Sequence, residues 1–546
     1  MKKLFLSLLF VLLLPMWVLA ATYYVDSAVT DTNVASATPD FTTYNPVTFE
    51  TTGGSDSVYK TVADINAFAA LAAGDSILFR TGCTWREQLT VPSSGSAGLP
   101  ITFGAYGSGN LPKILGGTDR SAVGDWVDGN IINYQPQSED FGSATYWSLN
   151  RMTTSVDSTA SPDGNTTADK LISDATPAQT HYVSKNLIGL SDNTVYTSSV
   201  FLKDGNTTWA AIGLQLKDAT ILYAHYNLST GAVGTVSGGV TANITAYGNG
   251  WYRCSITANV LTGATNPRPL IMLAEADNDR TFDGDNARHM YAWGAQWVVG
   301  SLELPYLKTE SGSTTTTNIW KSVTEHTSGN VGNLIFNNEV SVGVKKITLG
   351  SLSSQGDFYY YFTDNIVYIK STSNPGAYYT HIETADYGSI TNGHVGIIYN
   401  AKDYVTFQYL DLRYGGQAIY NWDTTGVIIE HNNISYIGGV FGQSEGAIIR
   451  GGNAIGWENN VSNSIVRYNR IDQVYDAAIS PQYTGTVVQD DIQIYYNVIS
   501  NYEYCFEFFL RDDTSSGNNI RFENNTCVNS IGSWGHSKRP EGTTGG

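Results

Sequence analysis

Val427-Ile428-Ile429-Glu430-His431-Asn432-Asn433-Ile434 sets a pattern that the C-terminal third of the chain repeats. It returns as Ser464-Ile465-Val466-Arg467-Tyr468-Asn469-Arg470-Ile471, as Ile492-Gln493-Ile494-Tyr495-Tyr496-Asn497-Val498-Ile499, and as Ile520-Arg521-Phe522-Glu523-Asn524-Asn525-Thr526-Cys527. A further copy, Val405/Phe407/Leu410/Leu412, carries Leu410 where Asn is expected, and Ser464 stands at an otherwise apolar position. The Asn column recurs at intervals of 37, 28 and 28 residues. Apolar residues two apart point to one face of a strand, and a fixed repeat implies stacked units sharing one core. A buried Asn at one corner of each unit can bond its amide to the next Asn above, satisfying groups that water cannot reach. An antiparallel sandwich with irregular hairpins is the alternative, but hairpins do not call for a repeated Asn. Gly438-Gly439 and Gly451-Gly452 are read as the turns with positive φ.

A second strand follows each Asn column. It is read as Gln417-Ala418-Ile419, Gly446-Ala447-Ile448, Ala477-Ala478-Ile479, Cys505-Phe506-Glu507 and Trp534-Gly535-His536. With the Asn repeat, this stretch resembles the right-handed parallel β-helix proteins of the pectate-lyase-like superfamily over residues 390–535. The resemblance implies an all-β protein with a groove along one flank where a long glycan lies. The N-terminal stretch fits the same plan. Strand patterns at 22–26, 76–80 and 100–107 and a short amphipathic helix at 62–72 look like an opening cap, with Trp85 and Arg86 in its packing.

Residues 125–310 break the repeat with alternating strands at 194–202, 210–216, 221–228 and 251–258. Their bounding segments, Tyr134 to Phe141 with Trp147 and Trp293 to Trp297 with Pro305-Tyr306, resemble jelly-roll β-sandwich carbohydrate-binding modules. The expected organisation is a signal peptide at 1–20, cap and first turns at 21–124, an inserted jelly-roll sandwich at 125–310, and β-helix again at 311–546. Asn318-Ile319-Trp320-Lys321 and Gly356-Asp357-Phe358-Tyr359-Tyr360-Tyr361 are read as β-helix sequence. Three domains in a row is the alternative. Residues 536–546 follow a strand pattern with no closing element, so the terminal cap is expected beyond this sequence.

Lys2-Lys3, the apolar run 4–14 and Val18-Leu19-Ala20 form a secretory signal, so export to the periplasm, cell surface or medium of a bacterium is expected. No later apolar run approaches the ~18 residues of a span, so no membrane partner is expected after cleavage. The 546 residues carry 30 Lys and Arg against 49 Asp and Glu, a net charge of −19, which argues against nucleic acid as a partner. Four cysteines, Cys83, Cys254, Cys505 and Cys527, form no metal spacing, and free thiols without a disulfide are expected. The 55 Gly, 35 Tyr and 12 Trp suit tight turns and flat rings that stack on sugars.

In the predicted register Glu507 stacks on His536, Glu445 and Asp476 precede the second strand in adjacent turns, and Arg450 shares a column with Lys538. Stacked residues lie ~4.8 Å apart. Glu445 with Asp476, or Glu507 with Asp512, are the carboxylate pairs available for glycoside hydrolysis. His536, Arg511, Arg539 and Lys538 supply the base and positive charge for elimination from a uronate. The candidate catalytic residues are therefore Glu507, Arg511, Asp512, His536, Arg539, Glu445 and Asp476. Arg450, Lys538, Trp534, Trp147 and Trp209 are candidates for substrate binding, with Tyr182, Tyr223 and Tyr226 as further rings in the sandwich. No metal ligands are assigned, although Ca²⁺ held by carboxylates would serve elimination. The run Glu507-Phe508-Phe509-Leu510-Arg511-Asp512 with Trp534-Gly535-His536 and Arg539-Pro540 resembles stretches in secreted bacterial β-helix proteins of uncharacterised mechanism. The expected function is cleavage of a polysaccharide, with an anionic glycan one fitting class, by a monomer acting as lyase or hydrolase. A glycan-binding adhesin without catalysis is the rival, and a phage-tailspike-like depolymerase a second one.

Overall fold

The computed structural model describes residues 20–324, 331–386, 396–441 and 449–530. The signal-peptide expectation lies outside them. The protein is all-β apart from a few short helical turns, and the chain divides into two units.

The first unit holds residues 20–116, 396–437 and 452–530. Apart from Phe41–Tyr44, which pairs antiparallel with Asp56–Tyr59, its strands pair parallel in three ladders, and the chain visits each ladder once per circuit. Val405–Gln408, Asp411–Arg413 and Ile419–Thr425 make one circuit, and Ile428–Glu430 then returns beside Val405–Gln408. The inward row of the first ladder runs Ile77, Phe103, Phe407, Ile429, Val466, Ile494 and Phe522. The second runs Trp85, Ile114, Leu412, Ile434, Ile471, Ile499 and Cys527. The third runs Leu89, Ile398, Ile419, Ile455, Ile479 and Phe506. Apart from the exposed Cys527 at the end of the second, these rows meet in one continuous apolar core. Period-two alternation explains it, since every second side chain points inward and these are mostly β-branched or aromatic.

The Asn column is a hydrogen-bonded ladder. Asn432 Nδ2 donates to Asn469 Oδ1 at 3.1 Å, Asn469 Nδ2 to Asn497 Oδ1 at 3.0 Å, and Asn497 Nδ2 to Asn525 Oδ1 at 2.9 Å. Each Oδ1 also accepts the backbone N–H of the preceding ladder residue, and Leu410 N–H donates to Asn432 Oδ1. The residues before the column, Tyr409, His431, Tyr468 and Tyr496, take φ of 57°, 59°, 57° and 58°. These corners therefore turn on side-chain-bearing residues. Their rings stack in sequence at 5.0, 5.0 and 5.5 Å, which offsets the strain of the left-handed backbone. Asn469→Ala should cost about 3 kcal/mol or more in urea unfolding, because it strands the buried Asn432 donors and the Ile429 carbonyl. A loss below about 0.5 kcal/mol would show that the ladder contributes little.

The five-residue helix Val62–Asn66 is shorter than the expected 62–72. Thr61 and Asp64 form its capping box, and Val62 and Ile65 enter the stack's core. Asn66, the last residue of the helix, bonds the chain at strand Leu89–Thr90, donating to Gln88 O just before it and accepting from Thr90 N–H.

The expectation of no disulfide is overturned: Cys505 and Cys527 are bonded, while Cys83 and Cys254 are free. Spacing along the chain hides the pair. Cys527 follows one circuit after Ile499, and only the corner between the second and third ladders brings Cys505 within 6.3 Å of it, Cα to Cα. Closing a loop of this length stabilises by about 3 kcal/mol on the chain-entropy account.

The second unit comprises residues 117–324, 331–386, 438–441 and 449–451. Two six-stranded antiparallel sheets share a core that includes Val183, Ile212 and Ile271 from one and Leu171, Val200, Ile256, Met290 and Trp297 from the other. The expectation that β-helix resumes at residue 311 is not met. Ile319–Ser322, Asp357–Tyr361 and Ile366–Lys370 pair antiparallel with one another and with Trp126–Asp128. The parallel circuits resume only at Ile398–Asn400, which pairs with Leu89–Thr90. Val405 consequently pairs with Ile101 and Leu412 with Ile114, so the whole stretch between is an excursion from two neighbouring circuits. Dense aromatic alternation in 357–370 mimics the repeat, but no Asn column accompanies it.

Candidate functional site

Along the third ladder, each inward residue is followed at +1 and +3 by residues on the opposite face. The +1 row reads Tyr399, Tyr420, Gly456, Ser480 and Glu507. The +3 row reads Trp422, Glu458, Gln482 and Phe509. Neighbours within a row sit on adjacent strands, so residues 399 to 509 in number share one face.

Hydrogen bonds tie these rows together. Tyr420 OH donates to Glu458 Oε2 at 2.8 Å, and Gln482 Nε2 reaches Glu458 Oε1 at 3.4 Å. Ser480 Oγ lies 3.2 Å from both Gln482 Oε1 and Glu507 Oε2. Glu458 and Glu507 thus stand at the two ends of a short polar chain running through Gln482 and Ser480. Rings flank it: Tyr399 stacks on Tyr420 at 6.1 Å, Tyr420 on Trp422 at 6.4 Å, and Tyr483 meets Trp422 edge-on at 5.9 Å. Two carboxylates, an amide, a hydroxyl and a set of rings are the groups that hold a sugar and cleave its glycosidic bond.

Glu507 is the one expected catalytic residue that the structure places in this cluster. Its position differs from the expected register, in which Cys505-Phe506-Glu507 aligned with Ala477-Ala478-Ile479; Phe506 pairs with Ile479, and Glu507 therefore stands beside Ser480. Asp512 does not pair with it. The Asp512 carboxylate accepts the N–H of Thr514 at 2.8 Å and the Thr514 hydroxyl, and these bonds hold its carboxyl below the usual range. It closes its own turn. Arg511 is exposed, with its backbone N–H on Tyr483 O at 3.1 Å. Asp476 lies half-buried in strand Arg470–Tyr483, just before Ala477. Glu445, Trp534, His536, Lys538 and Arg539 lie outside the described residues. The backbone of Arg450 belongs to a two-stranded antiparallel pair, opposite Val440, and not to a column of the stack.

Trp147 is corrected from sugar contact to core: it is 2% exposed, and its Nε1 donates to Gln137 O at 2.8 Å. Tyr226 is likewise buried and donates to Ser255 O. Trp209, Tyr182 and Tyr223 alternate with core residues and face away from the sandwich interior. Arg280 lies 3.8 Å over the Tyr223 ring and reaches His225 Nε2 at 3.1 Å. Among the described residues no three Asp, Glu, His or Cys side chains converge as a metal site.

Sequence reasoning missed Glu458, Gln482, Ser480, Tyr420, Tyr399, Trp422 and Tyr483. The signal was present. Gly446-Ala447-Ile448 and Asn453-Ala454-Ile455 both match the x-Ala-Ile motif of the third ladder, and the structure uses the second, with Ile455 between Ile419 and Ile479. Choosing it puts Glu458 three residues after the inward Ile455, beside Trp422 and Gln482.

No family model matches the chain, and no curated protein matches its sequence. Among solved structures it is similar to the catalytic domain of a GH87 α-1,3-glucanase in complex with nigerose, at 10% identity and TM-score 0.17, over 70% of this chain and 69% of that one. The catalytic domain of a variant GH87 α-1,3-glucanase in complex with tetrasaccharides matches at 8% identity and TM-score 0.17, over 78% of this chain and 99% of that one. The Agl-KA catalytic domain matches at 8% identity and TM-score 0.15, over 77% and 78%. Likeness at this level carries no argument about the chemistry of this chain.

Proposed function

We propose that the protein is an exported glycoside hydrolase that cuts a polysaccharide on the outer face of the third ladder, with Glu458 and Glu507 as its two carboxylates. In this reading the stacked circuits are a right-handed parallel β-helix, and the excursion carries a jelly-roll sandwich of the carbohydrate-binding kind. The observation that carries it is the chain from Glu458 through Gln482 and Ser480 to Glu507, bordered by Tyr420, Trp422 and Tyr483.

Gln482 and Ser480 stand between the two carboxylates, which make no direct contact along this chain, and the reading takes the inverting arrangement, in which a water is activated between the pair. One glutamate protonates the leaving oxygen while the other takes a proton from that water, and the anomeric configuration inverts. The Cys505–Cys527 bond supports export, since disulfides persist in oxidising compartments.

The test is a panel of neutral and uronate polysaccharides assayed for new reducing ends and for the ultraviolet absorbance of unsaturated products. Reducing ends without absorbance, from at least one glycan, are expected. Absorbing products would make the protein a lyase, and binding without cleavage across the panel would make it an adhesin.

A further inference from the structure

Ser480 has one hydroxyl proton and two acceptors for it. Its Oγ lies 3.2 Å from Gln482 Oε1 and 3.2 Å from Glu507 Oε2. The residue is completely buried, so no water relieves the competition. Were Glu507 ionised, one of the two oxygens would face Oγ with no proton between them, and among the described residues no donor would reach Oγ itself. A proton on Glu507 resolves the conflict: Glu507 donates to Ser480, and Ser480 donates to Gln482 Oε1. At the far end of the chain Glu458 receives. Gln482 Nε2 faces its Oε1 at 3.4 Å, and Tyr420 OH donates to its Oε2 at 2.8 Å. Hydrogen bonds to a carboxylate are stronger than those to a neutral acid, so two donors favour a charge at Glu458. Turning the Gln482 amide over would reverse the order and put the proton on Glu458, but the Tyr420 donor would then face a neutral acid.

We infer that Ser480 and Gln482 are positioning residues that hold a single proton on the glutamate pair and place it on Glu507, making Glu507 the general acid and Glu458 the general base. The inference rests on the reading of this face as a hydrolytic site. Glu458 and Glu507 are half-buried and keep part of their surface open to a ligand, whereas the buried Ser480 acts only through its neighbours. In the reaction the Glu507 proton passes to the glycosidic oxygen, which leaves with the electron pair of the broken C–O bond. The water oxygen bonds to the anomeric carbon, and the proton it sheds passes to Glu458. One water is consumed, and exchange with solvent returns the pair to its starting state. As Glu507 becomes charged, the Ser480 hydroxyl turns to donate to it and stabilises the carboxylate left behind. Ser480 therefore serves the acid alone, and its contribution depends on how much the leaving oxygen needs a proton.

Leaving groups separate the roles on the full chain. The probes are the polysaccharide that the wild type cuts and an oligosaccharide of the same sugar carrying a dinitrophenyl group, whose oxygen departs without a proton. Glu507→Ala should lose cleavage of the polysaccharide by about three orders of magnitude, yet hydrolyse the dinitrophenyl substrate within about tenfold of wild type. Glu458→Ala should be slow on both. Sodium azide, which attacks the anomeric carbon without a base, should restore its turnover of the dinitrophenyl substrate and leave a glycosyl azide. Ser480→Ala should lower kcat on the polysaccharide about tenfold with KM unchanged, and match wild type on the dinitrophenyl substrate. Gln482→Leu touches both ends of the chain and should slow both substrates. Thermal melting reads the fold of each variant, and should Ser480→Ala not fold, the two glutamate variants decide the assignment by themselves. A merely structural Ser480 would slow both substrates alike, and that result overturns the inference. The exchanged pattern, with Glu458→Ala spared on the dinitrophenyl substrate and Glu507→Ala rescued by azide, overturns it too and leaves the hydrolase reading standing. Undiminished cleavage of the polysaccharide by both glutamate variants would sink the reading itself.

Discussion

Glu458→Gln should cut the rate of glycan cleavage by about three orders of magnitude, and Glu507→Gln by a similar factor, with binding nearly unchanged. The substitution keeps volume and leaves an amide oxygen that can still accept from Tyr420 OH or Ser480, so neither variant should alter the melting temperature. Only the ability to exchange a proton disappears. A rate loss of this size corresponds to about 4 kcal/mol of transition-state stabilisation. Because the two glutamates act on opposite sides of one bond, the double variant should be little worse than either single one. Single-turnover kinetics on whichever glycan the wild type cleaves provides the measurement, with optical rotation of fresh product reporting the expected inversion. Wild-type rates in both single variants would remove these residues from the chemistry. An effect of Glu507→Gln alone would return attention to the segment after residue 530, where the sequence places His536 and Arg539.

The stack was legible in the sequence because its defining residue has a job no other side chain does as well. Asn432, Asn469, Asn497 and Asn525 recur where a carboxamide must both donate and accept along the axis, and inward Ile, Val and Phe recur two apart around them. The face that bears the site was harder to read for the same reason reversed. Outward positions do not share the one repeated core, so Tyr420, Gly456 and Ser480, although buried, form with the half-buried Glu507 a row without any common character. Only the exact register of each circuit brings them together, and one ambiguous Ala-Ile step was enough to hide Glu458. The excursion hid itself differently. Its strands around Asp357–Tyr361 have the apolar alternation of a buried sheet, which antiparallel and parallel strands share, and nothing local in that pattern states the direction of a strand's partner. Trp147 shows the limit of composition: the ring type that stacks on sugars is also the type that fills a sandwich core.

Lys345 should make the stability of the second unit rise with pH. It lies buried on strand Val344–Lys345, its Nζ donates to the Val331 carbonyl, and the Tyr360 ring lies 5.7 Å away. Burial penalises the ammonium and brings its pKa down from 10.5 to about 7. In the unfolded chain the amine keeps its ordinary value, so between about pH 7 and 10.5 the unfolded state binds more protons, and stability must increase across that window. Below pH 7 both states are protonated and the contribution is flat. Raising the pH from 7 to 9 should therefore add up to about 2.5 kcal/mol, at roughly 1.4 kcal/mol for each unit. Lys345→Met fills the same space without a charge and forfeits the bond to Val331, worth about 1 kcal/mol, yet it escapes the larger desolvation cost. The variant should be the more stable protein at pH 7, and its stability should no longer climb towards pH 9. Urea unfolding followed through the tryptophans at pH 7, 8 and 9 decides the matter. An identical slope in variant and wild type would mean that the lysine stays protonated at all three, its charge met by the Val331 carbonyl and the Tyr360 face, and the cost of burying it would then be far smaller than its surroundings imply.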